Sequence, residues 1–162
     1  MNKLTKISFI LSMVFMLGAC SSNGTGSDKS IDFEKTMDVI IEKADKNEIM
    51  IGATGDNPDE ATLTALYGID SSMVDDYYLA IPMVNIQANE IAMFKVKEGK
   101  MEDVKAGVAK RLASLEDNWK QYLPDQYELV KNYTEHTEGD YYFMIISEDA
   151  DKILDVIKAE FK

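Results

Sequence analysis

Few side chains in this sequence are equipped for catalysis, and their spacing narrows the chemistry further. His136 is the only histidine, so a Ser-His-Asp triad would have to use it and a two-histidine metal site is impossible. Its neighbours Thr134, Glu135, Thr137 and Glu138 predict a polar edge strand with a solvent-facing imidazole. Carboxylates are the remaining option, because a glycosidase needs only two of them at the right separation. Asp56, Asp59 and Glu60 gather around one turn, and Asp75 and Asp76 precede a strand. The stretch Asp56-Asn57-Pro58-Asp59-Glu60 also offers oxygens to a cation, but its spacing is not that of an EF-hand and lacks the central glycine. Both groups fall where acidic residues cap helices and solvate loops. No Gly-x-Ser-x-Gly elbow, phosphate-cradling loop or dinucleotide fingerprint occurs. The sequence therefore assigns no catalytic residue, no metal and no cofactor.

Cys20 is the one cysteine, which rules out an intramolecular disulfide and a multi-cysteine metal site. It follows Leu17-Gly18-Ala19, which in turn closes an apolar run from Ile7 preceded by Lys3 and Lys6. A positive segment, an apolar segment too short to span a bilayer and small residues before the cysteine predict a secretory signal. The Leu-Gly-Ala-Cys order resembles the bacterial lipobox, whose cysteine is diacylated and becomes the mature N-terminus. Two acyl chains anchor a protein stably where one does not. The expectation is a signal peptide over residues 1–19, a lipidated Cys20, and a protein held on the extracytoplasmic side of the cell membrane.

Residues 21–30, Ser-Ser-Asn-Gly-Thr-Gly-Ser-Asp-Lys-Ser, contain no apolar side chain. With Cys20 they read as a flexible tether over residues 20–30, reaching roughly 18 Å root-mean-square. Residues 31–162 suit one domain with one core. Removing Lys3 and Lys6 from the 17 basic side chains leaves 15 against 29 acidic ones, a balance of −14. That charge disfavours nucleic acid and anionic lipid headgroups, which need clustered Lys or Arg.

Periodicity supplies the elements that must position any site. Asp32 to Lys46 reads as a helix with Phe33, Met37, Ile40, Ile41 and Ala44 on one face. Glu60 to Tyr67 reads as a short helix stopped by Gly68. Strands are predicted over Tyr77 to Val84, with Pro82 at an edge or bulge, and over Glu90 to Lys97. From Met101 to Tyr122 apolar residues recur at steps of three or four, which predicts the longest helix. Pro124 ends it, and Asp125 to Val130 forms a short helix or turn. Lys131 to Thr137 and Tyr141 to Ser147 read as two more strands, the last the most apolar and central. Ser147 is expected to cap a final helix that buries Ala150, Ile153, Leu154, Ile157 and Phe161.

Two strand-strand-helix units follow one another, Tyr77 to Tyr122 and Lys131 to Phe161. The expected fold is α+β: a four-stranded antiparallel sheet with both long helices on one face, and the N-terminal helices at an end or on the other face. Tyr77 with Tyr78, and Tyr141 with Tyr142, begin strands as adjacent pairs. These four are the candidate binding residues, as core packing with the hydroxyl reaching water or as an aromatic platform for a polypeptide or glycan.

Leu66-Tyr67-Gly68-Ile69, Ala88-Asn89-Glu90-Ile91-Ala92 and Tyr122-Leu123-Pro124-Asp125-Gln126 follow in that order after the lipobox and tether. In these segments the chain resembles the clostridial-type lipoproteins of the domain of unknown function 4358 family, over about Ile49 to Ser147. That family has no assigned activity, so the resemblance implies the architecture and the address and no catalytic residue. The functional expectation is a non-enzymatic module that binds an envelope protein, peptide or cell-wall fragment. The alternative is a carboxylate-dependent hydrolase acting on wall glycans.

Overall fold

A computed structural model describes residues 30–53 and 57–162. Five helices, α1 (Phe33–Asp45), α2 (Glu60–Tyr67), α3 (Met101–Trp119), α4 (Pro124–Lys131) and α5 (Ala150–Ala159), accompany four strands. The strands are β1 (Val74–Ala80), β2 (Glu90–Val96), β3 (Thr134–Glu138) and β4 (Tyr141–Ile146). All pairings are antiparallel, in the order β1-β2-β4-β3, so the fold is α+β with the two most apolar strands at the centre.

Local chemistry explains the boundaries. Asp32 caps α1 by accepting the Lys35 N–H at 3.1 Å, and Asp59 caps α2 by accepting the Thr62 N–H at 2.9 Å. Gly68 ends α2 with φ at 68°, a left-handed conformation that other residues resist. Pro124 occupies the first turn of α4, where its missing N–H has no partner to lose.

β2 and β4 bury side chains on both faces, so two cores form. On one face Ile91, Met93, Phe143 and Ile145 pack under α1 and α5; on the other Ala92, Phe94, Met144 and Ile146 pack under α2, α3 and α4. Each fully buried side chain of this size contributes about 1.5–3 kcal/mol. The two long helices thus lie on opposite faces, correcting the expectation that both share one. The sequence could not separate these arrangements, because strands apolar on both faces offer either helix an equally good seat.

Smaller corrections have equally local causes. β1 starts at Val74, through a register shift before Asp76, and stops at Ala80, so Pro82 lies in the connection beyond it. β3 starts at Thr134 because α4 carries the chain as far as Lys131. Tyr122 falls beyond the end of α3 and is exposed. Ser147 does not cap α5 directly: Asp149 holds that position, while the Ser147 hydroxyl donates to the Met50 carbonyl at 2.6 Å and accepts the Asp149 N–H at 3.2 Å. His136 is half-buried, its ring stacked on Phe143 at 6.3 Å, because its side of β3 turns toward the α1–α5 core.

Candidate functional site

A groove opens at the end of the sheet where β1 finishes and β2 begins, between the β1–β2 connection and the C-terminal half of α3. Its volume is about 470 Å³, within the range of ligand pockets. Ile81, Pro82 and Val84 line one side, and Leu115, Trp119 and Tyr122 the other. Asn85, Gln87 and Asn118 add amide groups.

Glu90 and Arg111 form the floor. Glu90 is only 1% exposed, and the Arg111 guanidinium meets it in a fork, Nε to Oε1 at 3.0 Å and Nη2 to Oε2 at 2.6 Å. The Tyr67 hydroxyl donates to the same Oε1, and the guanidinium carbon lies 5.9 Å from the Tyr67 ring centre. Burial pushes the Tyr67 phenol well above its ordinary pKa, and the Glu90 charge pushes the same way. For Arg111 burial opposes the charge, but the hydrogen bonds and charge of Glu90 outweigh it and the pKa is raised. The triad is therefore an ion pair with a neutral phenol, and it ties α2, β2 and α3 together.

Close packing supports this brace. A Cβ on Gly107 of α3 would stand 2.7 Å from the Tyr67 carbonyl oxygen, so only glycine lets α2 approach α3 this closely. Beside the groove, the Ala88 N–H donates to Gln126 Oε1 at 2.8 Å and fixes the β1–β2 connection to α4. The three segments that carry the family resemblance thus meet here: Tyr67 bonds Glu90, Ala88 bonds Gln126, and Tyr122 forms a wall.

The four tyrosines are not brought together. Tyr77 and Tyr142 face the α3 side of the sheet, and Tyr78 and Tyr141 face the α5 side. Tyr78, Tyr141 and Tyr142 are buried, because helices cover both faces, so no exposed platform made of the four exists. Tyr142 donates to Glu135 Oε2 at 2.6 Å, and burial above all pushes its phenol up. Tyr141 accepts the Ile31 N–H at 3.2 Å. Half-buried Tyr77 donates to the Pro58 carbonyl at 2.9 Å; burial raises its pKa, with Glu60, Asp59 and Asp76 adding to the effect.

The candidate carboxylates hold up local structure. Asp59 caps α2, Glu60 accepts the Ser71 N–H at 2.8 Å, and Asp76 accepts its neighbour's N–H at 2.9 Å. Asp75 stands 4.0 Å from the Lys97 ammonium. Asp56 and Cys20, the residue expected to be lipidated, lie outside the described residues. Among the described residues no three His, Cys, Asp or Glu side chains are grouped to hold a metal ion, and no helix is long and apolar enough to cross a membrane.

No motif marks Met83, Val84, Ile86 or Arg111 as functional, and Glu90 stands out only within the segment Ala88 to Ala92 that carries the family resemblance. Met83 and Val84 fall inside the expected strand Tyr77 to Val84. The signal that the sequence does offer is the run Tyr77 to Asn89, thirteen residues without a charge in a chain that is 28% charged. Nothing local announces the Glu90–Arg111 pair, whose members are 21 residues apart.

No curated protein and no solved structure matches the chain. The model of one family, described as a domain of unknown function (DUF4358), matches residues 39–147, from within α1 to the residue after β4. Since this match takes in more than half of the chain and every segment that builds the groove, the chain belongs to the DUF4358 family.

Proposed function

We propose that this DUF4358 domain is a membrane-anchored extracytoplasmic lipoprotein, held through a diacylated Cys20, and that it acts as a non-enzymatic binding module for an envelope protein, peptide or cell-wall fragment. The groove between the β1–β2 connection and α3 carries the reading. Val84 and Tyr122 in its walls are 50% and 56% exposed, and Met83 and Ile86 on the same β1–β2 connection are 86% and 58% exposed. Folding alone gives such a cluster no reason to stay in water, and clustered exposed apolar residues mark interaction sites. The hydrolase alternative has no comparable support, since Asp59, Glu60 and Asp76 are engaged in caps and turns.

Two measurements test this reading. Cys20→Ala should move the protein from the membrane fraction to the soluble one; a variant that still partitions fully into detergent overturns the anchor. Trp119 is the only tryptophan and lines the groove, so its emission reports occupancy. Titrating the full chain with muropeptides from digested wall and with peptides from digested envelope proteins should change that emission saturably for one of the two. No change with either overturns the binding role.

A further inference from the structure

The groove is distinctive for what its surface lacks. Residues 81–89 on its outer side carry no charged side chain. The only charges lining it are Glu90 and Arg111, and each satisfies the other. A charged group entering the groove would lose water without gaining a counter-charge, at a cost its apolar contacts would have to overcome. Of the six exposed large apolar side chains among the described residues, Val84 and Tyr122 line the groove and Met83 and Ile86 lie on the β1–β2 connection that forms its outer side, the others being Val39 and Met50. A charge-poor surface with methionine and aromatic side chains is the composition of the centre of a protein interface. Asn85, Gln87 and Asn118 each carry both an amide donor and a carbonyl acceptor, which suits them to peptide groups.

The described chain begins beside the start of β4, where the Ile31 N–H meets the Tyr141 hydroxyl. The groove lies at the other end of the same strands: Glu90 pairs with Ile146, and Lys95 with Tyr141. Five residue steps along β4 separate these ends by about 17 Å. If the chain is anchored through Cys20, its point of attachment lies at the Ser30 end of the sheet and the groove at the opposite end.

On the reading of this groove as a binding site, we infer that its occupant is an uncharged apolar segment of another polypeptide. The partner supplies one or two large apolar side chains to the space between Val84 and Trp119, and its main chain meets the amides. An acyl chain is the wrong occupant, because it offers no hydrogen-bonding group to the amides of Asn85, Gln87 and Asn118.

The test uses the full lipidated chain in phosphatidylglycerol vesicles, panned against a displayed random-peptide library, with the selected peptides then titrated while Trp119 emission is followed. Selected peptides should share an uncharged apolar centre. One central Asp should weaken binding about tenfold or more, and so should Val84→Asp with Tyr122→Asp in the protein, at two exposed side chains of the groove walls. Both substituted side chains are exposed, so an unchanged unfolding midpoint will separate lost binding from lost folding. Selection of charged peptides, or binding indifferent to the double substitution, would overturn the inference. So would a change of Trp119 emission when the Cys20→Ala chain is mixed with the vesicles alone, since the connection would then be a membrane contact. If muropeptides change the emission and peptides do not, the binding module stands and the polypeptide occupant falls; if neither does, both fall.

Discussion

Two hollows of similar size occupy different places on this domain, and size does not tell them apart. The groove beside α3 encloses about 470 Å³, and a second hollow near the start of the described chain about 510 Å³. The second is lined by Asp32, Asn57, Asp76, Tyr77 and Tyr78, among others, and so includes two of the tyrosines that the sequence nominates. Asp32, Asn57, Asp76 and Tyr77 in it are already engaged. Asp32 caps α1 and pairs with Lys35 at 2.5 Å. The Asn57 side chain closes the edge of β1, donating to the Tyr77 carbonyl at 2.9 Å and accepting the Leu79 N–H at 3.3 Å. This hollow is a seam where a loop seals a strand edge that would otherwise pair with another chain. In the groove the polar groups are satisfied at the floor, and the rim is apolar and faces water. The contrast is between polar groups held by structural duties and exposed apolar side chains that have none.

Substitutions can sharpen or break this comparison. The largest effect is expected at the groove floor: Glu90→Gln leaves the buried Arg111 guanidinium without its counter-charge, and urea unfolding should show a loss of about 3 kcal/mol or more. A loss below 1 kcal/mol would mean that water reaches the pair and that the floor is not a brace. Gly107→Ala pushes a methyl against the Tyr67 carbonyl and should cost about 1–3 kcal/mol in the same assay. In the seam, Asn57→Ala should cost about 1 kcal/mol through two lost hydrogen bonds to β1. It should leave Trp119 emission titrations unchanged; altered peptide binding would merge the two hollows into one site.

Asp32 in the seam predicts a direction with pH. Its hydrogen bond and ion pair with Lys35 hold its carboxyl below the ordinary range. A carboxyl depressed in the folded state stabilises the fold above its unfolded pKa of about 4, and that stabilisation disappears as pH falls through the lower folded value. Melting midpoints between neutral and strongly acid pH should therefore fall less steeply in Asp32→Asn than in the natural chain. Equal slopes would show that the Lys35 contact does not persist in solution, which is common for exposed pairs. The smallest stability effect belongs to the rim, where Met83→Asp with Ile86→Asp should stay within about 0.5 kcal/mol of the natural chain. A larger loss would show that the rim packs against the fold, and the contrast with the seam would disappear.

Much of the fold was legible in the residues because its signals are local. Asp32 at the start of α1, Gly68 as a stop, Pro124 as the break after the long helix and the spacing from Met101 to Trp119 each act within a turn or two of chain. The candidate site was far less legible. The tyrosine pairs attract notice in the sequence but are split between two cores by the alternation of strand side chains. The groove depends on Tyr67, Glu90 and Arg111, which three different elements bring together.

By itself the sequence determined the element types, the central place of the last strand, the acidic balance and the lipobox-like order around Cys20, since each is written in neighbouring residues or in composition. Only the tertiary structure decided which face each long helix covers, because β2 and β4 are apolar on both sides and accept either. It also decided that the uncharged run after Tyr77 ends as an exposed rim around a sealed ion pair. Side chains far apart in sequence can satisfy each other, or be left in water, only once the layers have closed.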